Sequence, residues 1–477
     1  MHIVPLLMAD MSVLDDYARQ YLARNDWVQD GRPLAALLNA VLSFGPAAVN
    51  LYPLPLLLAV LITAHALANL VQHWFTLPTV SAVLVVLPLW MQPFFLQNLS
   101  YQYDGASMAL SLACSLWAIT LGCQWAKPWL GGTLLVAASA ALYQPGLNVF
   151  AGLCCLEIMR LVMNGSRFAM VCKVAAVRLG QLLVGVGLFY VSCAWMVRSG
   201  RTALLAIDGL WLTEMYQRLA ATVDVVSVLV TPWVFWGALG LCLLAAFSLG
   251  RKMQALWRRP YALSERLGLV AALLLPVALI LLCIPGLILF LEHFDPTARV
   301  LMGLGAALTM LLYVVHDALA AVPRVRLVVL ATSIVFMLSM AFAYGRVLML
   351  QKALHQAVAQ SVAHDLSSQP ELAAARHYYL LGYWQSRLWV PAAKGTLAHM
   401  PAIEVIDANR YVMLPEMLPR VGIDDPRTFY QSPPLTRREV LARSPSPRVV
   451  SRFYDIHLVG DAAYVLIKLP QATGQEH

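Results

Sequence analysis

Runs of about twenty apolar residues, nearly free of charge, recur along this chain and decide what it can fold into. Crossing a hydrocarbon core about 30 Å thick takes roughly 20 residues of helix. Ten stretches qualify: 49–72, 77–96, 106–124, 129–143, 147–163, 174–197, 233–249, 267–291, 299–318 and 326–345. Only Tyr143-Gln144-Pro145-Gly146 separates the fourth from the fifth, so a broken re-entrant pair is the alternative there. Composition points the same way: 60% of the 477 residues are hydrophobic and 12% are charged, against about 25% charged in soluble domains. A cytosolic enzyme, a secreted disulfide domain and a disordered chain are all excluded. The eight cysteines lie in or beside the apolar runs and offer neither a disulfide framework nor zinc spacing. The net charge is +8, but the basic residues form short clusters between apolar runs rather than one basic face. That is the pattern of a topology signal, and it argues against nucleic acid as a partner.

Alternate loops collect the Lys and Arg residues. One set contains Lys127, then Arg160, Arg167, Lys173 and Arg178, then Arg251, Lys252, Arg258 and Arg259, then Arg324 and Arg326; it is expected to face the cytoplasm. The other set, 1–48, 100–105, 198–232, 292–297 and everything after Tyr344, is expected to share the outer compartment. Ten spans put both chain ends outside. The opening Met1-His2-Ile3-Val4-Pro5-Leu6-Leu7-Met8 is too short to span or to be a complete signal peptide. An eleventh, first span, truncated here or lost to a late start codon, is therefore expected.

Two segments outside the spans carry information. After Gly31-Arg32-Pro33, residues Leu34, Leu37, Leu38, Val41 and Leu42 recur at helical spacing and predict an amphipathic helix on the outer membrane surface. Around 204–226, Trp211, Tyr216 and Arg218 predict a second interfacial helix or lid. Beyond the last span, Val347, Leu350, Leu354, Val358 and Val362 continue a helix with one apolar stripe. Strand-like runs follow at 378–383, 403–406 and 411–414, and 453–469 reads as a hairpin turning at Gly460-Asp461. The expected fold is a polytopic α-helical membrane protein in three parts: an outer loop with an amphipathic helix (1–48), about ten spans (49–345) and a small α+β domain outside the membrane (346–477). No internal repeat of 20 to 50 residues is visible.

The densest polar cluster is Leu14-Asp15-Asp16-Tyr17-Ala18-Arg19-Gln20, continuing through Asn25-Asp26-Trp27 and Asp30-Gly31-Arg32-Pro33. Paired carboxylates beside Arg19 can supply a general base with a neighbour that tunes its pKa; the plainer account is that Asp15 or Asp16 caps a helix beginning at Tyr17. A second cluster runs from Gln97 to Gly105. There Tyr101 or Tyr103 could stack on a sugar ring while Asp104 binds hydroxyls, or Asp104 could simply cap the next span. Tyr143 and Gln144, with Asn148 following, sit at an outer turn where polar atoms also serve backbone freed by Pro145. Arg299 follows Glu292-His293-Phe294-Asp295-Pro296-Thr297-Ala298; it could grip a phosphate or snorkel from a span. His65 and His73, on a span, read as packing residues rather than metal ligands. A Walker loop, a dinucleotide glycine fingerprint and an HExxH motif are all missing, so nucleotide-driven transport, NAD chemistry and zinc proteolysis lack their motifs.

Taken together, Asp15-Asp16-Tyr17 with Asp26-Trp27 and Asp30-Gly31-Arg32-Pro33-Leu34, then Leu99-Ser100-Tyr101-Gln102-Tyr103-Asp104 and Leu142-Tyr143-Gln144, resemble the glucosyl transferase II family. These are bacterial inner-membrane enzymes that modify lipopolysaccharide O-antigen. Tyr344-Gly345-Arg346, leading into the long helix, and the terminal hairpin extend the similarity. The resemblance implies a GT-C-type glycosyltransferase that takes a hexose, usually glucose, from undecaprenyl phosphate on the periplasmic side. It gives the sugar to a hydroxyl of lipid-linked O-antigen, with inversion in one displacement. On that reading Asp15 or Asp16 is the base, with a slight preference for Asp16. Arg19, Arg32 and Arg299 are placed to meet a phosphate leaving group, and Tyr17, Trp27, Asp30, Tyr101, Tyr103, Asp104, Tyr143 and Gln144 complete the substrate-binding set. No cofactor or bound metal is required. The competing class is a lipid-linked sugar transporter or flippase, which would carry its charges near the bilayer midplane inside the spans; the spans here hold few acids. A scaffold subunit is the third reading.

Overall fold

A computed structural model describes residues 1–120, 128–197, 203–382, 388–413, 415–423 and 433–468. Lys127, Cys123, the end of the third predicted span, the start of the 198–232 loop, Tyr383, Leu414 and Leu469 lie outside the described residues. The chain forms two compact units. The first comprises Met1–Ile3, Asn25–Phe342 and Met400–Ile406, and the second Val4–Arg24, Ala343–His399 and Asp407–His477. Residues 1–48 are thus divided between the two.

In the first unit and at its boundary, six helices among the described residues are long and apolar enough to cross a membrane. They are Leu54–Trp74, Gly146–Met163, Phe168–Cys193, Pro232–Trp257, Leu263–Leu282 and the first part of Pro323–Ser368. Shorter apolar helices add Gly105–Thr120, Pro128–Leu142 and Leu304–Ala318. Gly146–Met163 is the buried centre, whereas Phe168–Cys193 and Pro232–Trp257 turn most of their surface outward. Val191, Trp233 and Trp236 are among the exposed large side chains. An apolar exterior of this extent belongs against lipid rather than water. The fourth and fifth predicted spans are separate helices joined by the tight turn. The second, 77–96, is not one helix: Pro88 and Pro93 interrupt it, giving Val80–Val86, Pro88–Met91 and Phe95–Ser100.

A seam of small polar residues closes the helices around the 143–146 turn. Ser111 Oγ donates to the carbonyl oxygens of Ser139 (2.8 Å) and Tyr143 (2.9 Å), and Ser115 Oγ donates to that of Gly146 (2.9 Å). A Cβ on Gly146 would stand 2.1 Å from Ser111 Oγ, so this close approach requires glycine. At the far end of these helices Glu157 accepts from Trp74 Nε1 (2.9 Å) and Arg160 Nη2 (2.8 Å), with His73 at 3.2 Å. His73 is thus engaged with the Glu157 carboxylate, and His65 lies edge-on to Trp117. The seven described cysteines are free thiols.

The predicted amphipathic helix is Pro33–Leu42. Its small residues Ala35 and Ala36 pack inward on Trp27 and Tyr103, while Leu37 and Val41 face outward, as a helix lying against lipid requires. The predicted lid helix is Trp211–Ser227. Its Arg218 is buried and donates to the carbonyl oxygen of Leu289 (2.8 Å), satisfying the end of the short 3-10 helix Gly286–Phe290.

The helix Pro323–Ser368 runs 46 residues without a break, and its part from Ala343 onward belongs to the second unit. Val358, Val362 and Leu366 bury the expected stripe against Leu380, Ile456 and Val465 of a four-stranded sheet. The strands are β1 (His377–Leu381), β2 (Val449–Val450), β3 (Tyr454–Val459) and β4 (Ala462–Ile467), in the order β1-β4-β3-β2. β3 and β4 form the predicted hairpin, with Gly460 at φ 62°, the left-handed conformation that favours glycine. β1 pairs parallel to β4. Two strand expectations fail: 403–406 falls in the helix Ala402–Ile406, and Tyr411–Met413 form no strand. The apolar run of Ile403, Val405 and Ile406 follows Pro401, and a short apolar run of this kind does not separate strand from helix.

Candidate functional site

Asp15 and Asp16 open the helix Asp15–Leu22, and their environments are opposite. Asp15 is exposed, whereas Asp16 has no exposed surface. Asp16 Oδ2 accepts from the backbone N–H of Val13 at 2.9 Å, so the carboxylate folds back on the loop before its own helix. That loop turns at Leu14, a non-glycine residue at φ 41°, a conformation costing about 1–3 kcal/mol. Asn409 holds the strained turn: its Oδ1 accepts from Leu14 N–H (3.1 Å) and from Tyr411 OH (2.8 Å), and its Nδ2 donates to the carbonyl oxygen of Ser12 (3.1 Å). Asn409 is itself buried, and its N–H donates to Asp407 Oδ1 at 2.7 Å.

Tyr17 lies next along the helix, with the Arg420 guanidinium 4.5 Å over its ring. Arg420 also donates to Ser12 Oγ (2.7 Å) and to Gln20 Oε1. Burial pushes the Tyr17 phenol up to about 12 against the pull of Arg420, and the charges of Asp16, Asp407 and Glu416 add to the rise. Burial likewise pushes the Asp407 carboxyl up to about 7, opposed by the Asn409 N–H and by Arg410. Glu416 is raised by burial too, with Asp15 adding to it. The acids predicted from sequence therefore belong to a larger group. Arg19 is buried on the same helix.

The remaining predicted residues gather in the first unit. Asp104 is buried and accepts from Trp27 Nε1 (2.7 Å) and Arg32 Nη1 (3.3 Å) on one oxygen. The Arg32 guanidinium lies 4.8 Å over the Tyr143 ring. Gln144 Nε2 donates to the carbonyl oxygens of Asp30 (3.2 Å) and Gly31 (3.1 Å), closing the end of the 3-10 helix Trp27–Asp30. Arg299 Nη1 donates to Tyr101 OH (2.8 Å), while the Arg299 carbonyl oxygen accepts from Tyr143 OH (3.2 Å) and Asn98 Nδ2 (2.9 Å). Tyr103 packs with Trp27, Ala35, Ala36 and Ala48. Asp104, Arg32, Tyr143, Arg299 and Tyr101 are thus one connected network, with two guanidinium groups on aromatic faces. Gln97 and Asn98 complete it, since Gln97 Oε1 accepts from Arg299 N–H at 2.7 Å; in sequence they stood only at the edge of the Tyr101 cluster.

A family model described as Glucosyl transferase GtrII matches residues 4–310. The chain belongs to this family. All thirteen site residues predicted from sequence fall inside the matched region of the GtrII member. A protein of Salmonella phage P22, described as an uncharacterized 55.3 kDa protein in the gtrB 5' region, is 31% identical over 183 residues. That match covers 38% of this GtrII chain and 38% of the phage protein. No solved structure matches it.

Proposed function

We propose that this GtrII-family chain transfers a hexose, glucose in the first instance, from undecaprenyl phosphate to a sugar hydroxyl of lipopolysaccharide O-antigen at the periplasmic face of the bacterial inner membrane. The observation that carries the reading is Asp16: a carboxylate with no exposed surface, fixed by the Val13 N–H and set among Asp407, Glu416 and Tyr17. As general base, Asp16 takes the proton of the acceptor hydroxyl while its oxygen attacks the anomeric carbon and the phosphate leaves, inverting that carbon. Asp15, exposed to water, tunes the field instead. Leaving phosphate requires positive charge, for which Arg19, buried on the same helix as Asp16, is proposed. The network of Asp104, Arg32, Arg299 and the tyrosines, at the loop ends of apolar helices, suits a lipid headgroup. A GT-C-type architecture with a periplasmic C-terminal domain belongs to the same proposal.

The test is transfer from polyprenyl-phosphate glucose to an O-antigen acceptor in membranes, comparing the parent chain with Asp15→Asn and Asp16→Asn at matched expression. Asp16→Asn is expected to lower turnover by about 10²–10⁴-fold, the range of a lost general base, and Asp15→Asn by far less. Equal activity in both variants would remove the base assignment. Absence of transfer from any polyprenyl-phosphate hexose would favour the flippase reading.

A further inference from the structure

The second unit contains a cavity of about 210 Å³ that begins at Tyr17, the residue after the proposed base. One wall is a face of the long helix, where Lys352, Gln356 and Gln360 follow at spacings of four residues with His355 beside Gln356; Arg420 also lines the cavity. Two features decide what such a cavity takes. Its cations are already engaged, Lys352 with Asp10 Oδ2 (3.3 Å) and the Asp10 carbonyl oxygen (2.5 Å), and Arg420 with Ser12, Gln20 and the Tyr17 ring. Its uncommitted groups are neutral. The buried His355 ring stacks on Tyr411 with centroids 6.3 Å apart and bonds the Tyr411 backbone, which leaves its Nδ1 without a hydrogen-bond partner, while the Gln356 and Gln360 amides stand exposed at the cavity wall. A buried nitrogen without a partner costs free energy unless something fills its bond. Two planar amides and an imidazole present donors and acceptors in the mixture that sugar hydroxyls match. The volume lies below the about 300 Å³ at which drug-sized pockets begin, which suits a single ring.

We propose that this cavity binds one neutral hexose unit, with His355, Gln356 and Gln360 reading its hydroxyls. Assigning that unit to the acceptor glycan rests on the function proposed above; the binding itself does not.

The experiment is saturation-transfer NMR on the full chain in lipid nanodiscs, using a panel of neutral methyl hexosides with inorganic phosphate as the anionic probe. The parent protein is expected to bind at least one hexoside, and phosphate is expected not to displace it. Gln356→Trp, which fills the cavity, should abolish the signal. His355→Phe should weaken binding about three- to tenfold, the worth of one uncharged hydrogen bond. The double variant Gln356→Ala, Gln360→Ala alters only exposed positions and keeps the test decisive where a larger side chain prevents folding. No hexoside signal from the parent, an unchanged signal in the double variant, or displacement by phosphate overturns the proposal. Hexoside binding without any hexose transfer would remove the proposed reaction and leave the subsite; transfer without hexoside binding would do the reverse.

Discussion

Asn409→Ala tests whether the turn before Asp16 is held or merely neighboured. The substitution removes an acceptor from Leu14 N–H and a donor to the Ser12 carbonyl oxygen, both at 3.1 Å, and deprives Tyr411 OH of its partner at 2.8 Å. Each buried group left without a partner costs about 1–3 kcal/mol, and Leu14 at φ 41° stores about 1–3 kcal/mol that those bonds oppose. The strain and a single such group already give the turn an incentive of about 2–6 kcal/mol to relax. The Val13 N–H moves with it, and this is the donor that orients the Asp16 carboxylate. A base displaced by about 1 Å loses about 10²-fold in rate. The expected result in the glucosyl-transfer assay is therefore a fall of about 10² in kcat with little change in KM, alongside a lower Tm. A kcat within about twofold of the parent at a temperature where the variant is fully folded would refute the reasoning, because Asn409 would then stabilise without positioning.

Three further outcomes follow from the geometry. Burial holds the Asp407 carboxyl at about 7, above its unfolded value, so between the two the folded state binds the extra proton and stability falls as pH rises. The parent Tm should decline from pH 5 to pH 8, and Asp407→Asn should flatten that decline; an identical slope in both proteins would contradict it. Trp27→Phe removes the 2.7 Å bond to buried Asp104, and a bond to a charged acceptor is worth about 1.5–3 kcal/mol, so thermal unfolding in detergent should shift down and an unmoved Tm would count against the network. Gly286 sits at φ 52°, and a Cβ there would stand 2.1 Å from Asn148 Oδ1. Gly286→Ala should displace Asn148 from its bonds to the Pro285 carbonyl oxygen and Leu287 N–H. Because both act through the same bonds, Gly286→Ala and Asn148→Ala should be sub-additive in unfolding assays.

Much of the architecture was legible because membrane thickness imposes a length on apolar runs: 147–163 and Gly146–Met163 differ by one residue. The 77–96 run failed where prolines removed the N–H donors a continuous helix needs. The hairpin at Gly460 was readable because two strand-forming runs flanked Gly460-Asp461, whereas 403–406 carried no period that separates strand from helix. The acids were found as a pair but not ranked, because adjacent residues on a helix point about 100° apart and only the packed structure shows that Asp16 faces inward. Asn409 gave no local signal, since its role is a bond to a backbone 395 positions away. The same holds for Arg420 over Tyr17. Asp104 was legible as a polar residue at the end of an apolar helix, but its partners Trp27 and Arg32 became evident only when the loop folded onto it.

That sequence separation bears on when activity can appear. The family match ends at residue 310, yet the groups that bond the loop before Asp16, Asn409 and Arg420, come later. Arg420 reaches Ser12 across 408 positions. At about 5–20 residues per second of synthesis, the segment Val4–Arg24 waits about 20–80 s for these partners. The apolar helices between them can insert meanwhile, since each buries its surface in lipid without those partners. The proposed base is therefore assembled last, after the spans are in place. A chain stopped at residue 400 should still insert its apolar helices, since none of them needs a later residue to bury its surface in lipid. It should nevertheless be without transfer activity, because the turn that carries the proposed base lacks its bonds to Asn409 and Arg420. Pulse-labelled truncations assayed for both membrane extraction and glucosyl transfer separate these two properties, and full activity in the 400-residue chain would show that the turn holds its shape unaided.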